Sequence, residues 1–163
     1  MSPHRAVLVD LVKSQGWTKG AELGVDKGVL FNMLLTGCPD LHLVGVDTGV
    51  VEKRVKHVRS IVEDFPERSL FLEMTTHEAA KHFEDGHFDF VFIDADHGEP
   101  AVADDVTQWM PKVRKGGWLG GHDYNNNFPG VVQAVQKAFG RRVETWPGSV
   151  SYTHLTLPTN SRV

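Results

Sequence analysis

Phe88-Asp89-Phe90-Val91-Phe92-Ile93 is an almost unbroken apolar run, and it stops abruptly at Asp94-Ala95-Asp96-His97. A run this rich in aromatic and branched side chains reads as a strand buried on both faces, which occurs inside parallel sheets covered by helices on either side. A core strand needs no carboxylates and no imidazole at its tip. Ligands of open α/β sheets, however, bind just beyond the carboxyl ends of the strands. The run therefore predicts a parallel α/β sheet with a chemical site at its edge.

The rest of the chain alternates strand-like and helix-like pieces. An amphipathic helix carrying Val7, Leu8, Leu11 and Val12 leads into a strand over Ala21–Val25 and a helix marked by Leu30, Met33 and Leu34. Leu41–Val46 reads as the second strand, ending at Asp47. Val51, Val55, Val58 and Ile61 then repeat with helical period until Pro66. Ser69–Met74 reads as a third strand, His77–Phe83 as a short helix and Phe88–Ile93 as the fourth strand. Val102, Val106, Trp109 and Val113 mark one face of a helix, with Lys115-Gly116-Gly117 as its stop signal. Trp118–Gly121, Val131–Phe139 and Arg141–Trp146 complete the series as strand, helix and strand. No repeat or linker interrupts this order, which predicts a doubly wound, mostly parallel sheet in a single domain over residues 1–149.

Residues 150–163 stand apart. Val150-Ser151-Tyr152-Thr153-His154-Leu155-Thr156-Leu157-Pro158-Thr159 has no acidic residue, and its wording resembles a reading frame of a sequencing-library adaptor. The segment is expected to be a non-native tail. The alternative is a natural terminal strand, since Val150, Tyr152 and His154 alternate with Ser151 and Thr153.

Composition limits the partners. With 163 residues, a formal charge of −4 and a pI near 6.1, the chain has no basic surface suited to nucleic acid or an anionic membrane. A single cysteine, Cys38, excludes an internal disulfide and is expected to be a small buried hydrophobe. No signal peptide or spanning segment is evident, so a cytoplasmic protein acting on a small molecule is expected.

Two strand ends look fit for a nucleotide-like ligand. Glu22-Leu23-Gly24-Val25-Asp26-Lys27-Gly28 carries glycines where a strand turns into a helix, and free amides there favour an anionic group. A plain tight turn would use the same residues. The spacing is not G-x-G-x-x-G, which counts against a dinucleotide. Asp47 is placed either to accept both hydroxyls of a ribose or to cap the following helix.

Glu22-x-Gly24-x-x-x-Gly28, Asp47, Phe90-Val91-Phe92-Ile93-Asp94 and Gly116-Gly117 before a strand together resemble a class I S-adenosylmethionine-dependent methyltransferase, over roughly residues 5–147. The resemblance implies a Rossmann-like fold whose antiparallel last strand is missing from the native part of this chain, leaving its neighbours unpaired and the protein marginally stable. It implies S-adenosylmethionine as cofactor, with Glu22 near its ammonium group and the amides around Gly24 and Gly28 holding the methionine. Asp47 would take the ribose, Thr75 would lie beside the adenine, and Asp94 would border the site. Asp94-Ala95-Asp96-His97 and Gly121-His122-Asp123-Tyr124 are similar to small O-methyltransferases of the catechol, caffeoyl-coenzyme A and macrocin types. That likeness implies a divalent metal on Asp94, His122 and Asp123, and His97 as general base. Those relatives use Asp-Asp or Asp-Asn where this chain has His122-Asp123. Imidazole tilts the site from Mg²⁺ toward Mn²⁺, Fe²⁺ or Zn²⁺; alternatively His122 is itself the base and no metal binds.

Methyl transfer to a hydroxyl requires loss of its proton, which a metal and a neutral imidazole both promote. The leading expectation is thus methyl transfer from S-adenosylmethionine to a small-molecule hydroxyl, with catalysis by His97, His122 and Asp94. The alternatives are a non-catalytic nucleotide-binding module or an NAD-linked oxidoreductase. Asp96 is expected to cap the helix starting near Glu99-Pro100, the pair Asp104-Asp105 to be solvated surface, and His77 to have no partner. Tyr124–Gly130 would be a substrate-contacting loop or a connector.

Overall fold

A computed structural model describes residues 3–140, 142–146 and 150–154. The elements are α1 (Pro3–Gln15), β1 (Lys19–Leu23), α2 (Val29–Gly37), β2 (His42–Asp47), α3 (Glu52–Asp64), β3 (Ser69–Glu73) and α4 (Thr76–Ala80). β4 (Phe88–Ile93), α5 (Glu99–Trp109), β5 (Val113–His122), α6 (Pro129–Phe139), β6 (Glu144–Trp146) and β7 (Val150–His154) follow.

The sheet order is β3-β2-β1-β4-β5-β7-β6. β1 to β5 run parallel, and β7 lies antiparallel between β5 and β6. This is the Rossmann-like fold expected. Strand order reverses between β1 and β4, so a crevice opens beyond their carboxyl ends.

The strands bury both faces. Phe90, Phe92 and Trp118 pack with α1, α2 and α3, while Val91, Ile93 and Leu119 pack with α4, α5 and α6. Trp17 stacks on Phe90 with ring centroids 5.5 Å apart. Cys38 is buried among these side chains as expected.

Several boundaries differ from those read in the sequence. β1 starts at Lys19 rather than Ala21, and β6 is only three residues long. The helical period through Val113 is broken earlier: α5 ends at Trp109, a 3-10 turn covers Met110–Lys112, and Val113 already belongs to β5. Pro111 accounts for the break, because it lacks the amide that a continuing helix would need. Lys115-Gly116-Gly117 is therefore inside a strand, not a helix stop.

The antiparallel slot expected to stand empty is filled. Val150–His154 pairs with Trp118–His122 on one side and, through Val150–Tyr152, with Glu144–Trp146 on the other. Main-chain groups make this pairing, so any extended segment fits it, and the expected row of unpaired amides on β5 and β6 is not present. Residues 147–149, where native sequence was expected to stop, and 155–163 of the expected tail lie outside the described residues.

Candidate active site

A cleft of about 770 Å³ opens at the strand ends, and both Asp47 and Asp94 line it. Gly24 and Thr75 line it as well; Glu22 and Gly28 do not. Gly24 has φ 87°, and a Cβ there would lie 2.1 Å from the Asp94 carbonyl oxygen. Its amide donates to the Val46 carbonyl at 2.8 Å, while the Asp94 amide donates to the Leu23 carbonyl at 2.7 Å. The tip of β1 is thus stitched to both neighbours, and only glycine allows that approach. Gly28 has a packing role: it precedes α2 in the left-handed region, and a Cβ would come 2.7 Å from Ile61.

Glu22 is buried on the sheet face opposite Ala21 and Leu23, and its Oε2 has no hydrogen-bond partner among the described residues. Burial first, then the charge of Asp94, push its pKa well above the ordinary value, against the pull of Arg5. Asp47 caps no helix, since α3 begins at Glu52. Its two carboxylate oxygens accept the amides of Asp26 and Gly49, each at 3.0 Å, which tie the β1 and β2 loops together. Thr75 caps α4: its hydroxyl accepts the Glu78 amide at 3.2 Å and donates to the Glu78 carboxylate at 2.9 Å.

The chemical cluster forms at the tips of β4 and β5. Asp94, His97 and Asp123 offer three donor atoms that all lie within 4.8 Å of one another. Asp123 Oδ2 is 2.8 Å from His97 Nε2 and 3.0 Å from His122 Nδ1. Asp94 Oδ1 lies 3.9 Å from His97 Nε2 and 3.6 Å from His122 Nδ1. The His97 Nε2 atom is buried and, despite its closeness to Asp123, lacks hydrogen-bond geometry toward it. A buried nitrogen without a hydrogen-bond partner beside two carboxylates suits a metal ligand, so this donor set fits a divalent ion with mixed nitrogen and oxygen preference. The sequence placed His122 among the ligands and His97 outside them; both imidazoles adjoin the carboxylates of Asp94 and Asp123, and His97 joins them in a group of three close donor atoms.

Asp123 adopts φ 62°, a left-handed conformation uncommon outside glycine, which aims its carboxylate back toward β4. Phe128 packs on the His97 ring with centroids 4.5 Å apart, so the Tyr124–Gly130 loop fixes that imidazole. Burial is the largest influence on Asp94 and raises its pKa. His122 pulls it down, Asp123 pushes it up, and His97 and Arg5 pull it down again, leaving it at about 6. Asp96 does not cap α5; Gly98 holds that position, and Asp96 accepts its amide at 2.7 Å in a tight turn.

One pair was misread. Asp104 is half-buried and accepts from His77 Nδ1 at 2.9 Å, which gives His77 a partner. Asp105 is buried, only 3% exposed, and its Oδ1 accepts the Thr76 hydroxyl. Burial raises its pKa to about 6 against that hydrogen bond, with Asp104 and Asp96 pushing the same way as burial. The helical register held the signal: Val102, Asp105, Val106 and Trp109 follow one another at the spacing of a single face.

A family model described as Methyltransferase domain matches residues 21–124. No curated protein matches the chain. Solved structures do: an O-methyltransferase from Bacillus cereus in complex with SAH is 21% identical, with a TM-score of 0.72, over 93% of this chain and 80% of that one. An SAH-bound methyltransferase from Podospora anserina is 15% identical, with a TM-score of 0.70, over 93% and 77%. A TDP-rhamnose 3′-O-methyltransferase of calicheamicin biosynthesis is 17% identical, with a TM-score of 0.72, over 91% and 77%.

Proposed function

Because the chain belongs to the methyltransferase domain family, in its class I, S-adenosylmethionine-dependent form, we propose that it methylates a hydroxyl oxygen of a small molecule, a sugar or a phenol, with the help of a divalent metal. One observation carries this reading: the donors of Asp94, His97 and Asp123 converge beside the same cleft that Gly24 and Asp47 line. S-adenosylmethionine supplies an electrophilic methyl group, so the protein's tasks are to hold the cofactor, orient the acceptor and remove its proton.

Gly24 lets the β1 loop approach the methionine end closely. Glu22, a buried carboxyl with an unpartnered oxygen and a raised pKa, offers an acceptor that a nearby ammonium group would draw into its charged form. Asp47, already aligned by two backbone amides, accepts the ribose hydroxyls, and Thr75 borders the base.

Asp94, Asp123 and His97 would hold the ion, which would lower the pKa of a hydroxyl bound beside it. His122, next to Asp123, takes the released proton; a neutral imidazole does so near neutral pH. The acidic lining and the formal charge of −4 favour small-molecule acceptors over nucleic acid. Among the described residues no helix is long and apolar enough to cross a membrane, and the reading assigns the activity to the cytoplasm.

The test is transfer of a labelled methyl group to a panel of sugars and phenols with Mn²⁺ present. Transfer should stop with a chelator and with the Asp94→Ala/His122→Ala double variant. Undiminished turnover in that variant would contradict the site assignment.

A further inference from the structure

The turn from Asp94 to His97 separates two cavities. Its four residues line the large cleft, and the same four line a smaller pocket of about 30 Å³ on the sheet face covered by α5 and α6. The floor of that pocket is apolar: Val102 and Val106 from α5, Val131, Val135 and Phe139 from α6, and Leu119 from β5. All six are buried, between 1% and 6% exposed. Asp94, Asp96, His97 and His122 are half-buried or exposed and so mark its mouth. The sequence explains the space. Valines one helical turn apart on two facing helices reach less far than leucines would. Gly121, two residues after Leu119 and on the same face, adds no side chain, and a Cβ there would lie 2.8 Å from the Ile93 carbonyl oxygen. Protein interiors leave few such gaps. The volume suits one group the size of a water or a methyl. A water on this floor would lack the roughly two to four polar partners that hold one, so the floor suits the methyl.

We propose that this pocket selects the methyl acceptor by taking a methyl-sized apolar substituent on the carbon beside the reacting hydroxyl, so that the preferred acceptors are 2-alkylphenols. The proposal rests on the methyl-transfer reading above. An acceptor hydroxyl activated at Asp94 and His97 stands at the mouth of the pocket, so a group on the adjacent carbon is the one that enters. On a sugar that carbon commonly carries another hydroxyl, which the apolar floor would strip of water and leave without a partner. On an unsubstituted phenol it carries only hydrogen, and the pocket stays empty. A methyl group there gains the contacts of the floor and limits how the ring can turn about its C–O bond.

NMR titration of isotope-labelled valine methyl groups, with S-adenosylhomocysteine and Zn²⁺ present, tests this with phenol and 2-methylphenol as probes. The Val131 and Val135 resonances should shift with 2-methylphenol, while those of the exposed Val50 should not. Its affinity should exceed that of phenol about tenfold or more, the scale of one methyl group in a fitted apolar pocket. Val135→Leu fills the pocket, and the two affinities should then agree within about twofold. Should that variant fail to fold, Val131→Ile makes the same comparison, and the wild-type ratio stands by itself. Equal affinities in the wild type, shifts that spare Val131 and Val135, or an unchanged ratio in a folded variant would overturn the role of the pocket. Transfer of a labelled methyl group to the same two phenols separates the pocket from the reaction. Occupancy without transfer would uphold the pocket and overturn methyl transfer; transfer to both at equal kcat/KM would overturn the pocket alone.

Discussion

Asp89 and Asp94 sit at opposite ends of the same strand, β4, and meet opposite electrostatic conditions. Asp89, at the start, accepts the Thr18 and Lys19 amides at 2.8 and 2.9 Å and the Arg114 guanidinium at 2.6 Å. Burial alone would raise its pKa, but Arg114 and the two amides outweigh it and hold the carboxyl below the ordinary range. Asp94, at the end, has no such donors; burial and the facing Asp123 prevail over two imidazoles and Arg5 and leave it at about 6. The amino-terminal end of the strand is thus built for stability, and the carboxyl-terminal end keeps an unsettled charge that a ligand must complete.

The comparison breaks first on activity. Asp94→Ala should lower methyl transfer by on the order of 10³-fold while leaving the melting temperature at pH 8 unchanged or higher; a large loss of stability would place Asp94 with Asp89 as a structural acid. Asp89→Ala should do the reverse. Denaturant unfolding should show a loss of about 1–3 kcal/mol, because two backbone amides and the exposed Arg114 guanidinium lose their acceptor, with cofactor affinity of the folded protein retained. Asp105→Asn sharpens the contrast and should raise stability at pH 8 by about 1–3 kcal/mol, a gain that disappears toward pH 4. Smallest is Arg54→Ala, which removes the exposed pair with Asp26 and should cost under about 1 kcal/mol.

The pH dependence follows with opposite signs for the two ends. A carboxyl lowered in the folded state, as Asp89 is, contributes stability above its ordinary pKa of 3.8, and that contribution is lost as the pH falls through the lowered value. Asp94 and Asp105 are raised from 3.8 to about 6, so their contribution is complete below 3.8 and is lost as the pH rises through 6. Thermal unfolding should therefore show Asp105→Asn rising above the wild type as the pH goes from 4 to 8, while Asp89→Ala stays below the wild type across that range and closes the gap only as the pH falls below 3.8.

Strand β4 was legible residue for residue because burial on both faces leaves a continuous apolar run, and its polar tip marked the site. The end of α5 was not: the apolar period carried on to Val113, and a 3-10 turn at Pro111 resets the chain without changing the pattern. The identity of the clustered side chains was readable from the polar tips of the two strands and the family resemblance, but not their distances from one another. Those depend on Phe128 packing on His97 and on the left-handed Asp123, both set by a loop whose conformation local sequence does not encode. Asp105 looked like surface because an acid stands beside it; its partner Thr76 lies 29 positions earlier, a contact only the tertiary fold creates.

The central claim is that the tips of β1, β2 and β4 bound one cleft shaped for a nucleoside-bearing sulfonium donor. Calorimetric titration of the folded protein with S-adenosylhomocysteine, alongside Asp47→Ala, tests it most directly. The account predicts saturable binding with a micromolar Kd, weakened at least roughly tenfold when the ribose-facing carboxylate is removed. A folded wild-type protein that takes up no ligand, or an Asp47→Ala variant that binds just as tightly, would contradict it.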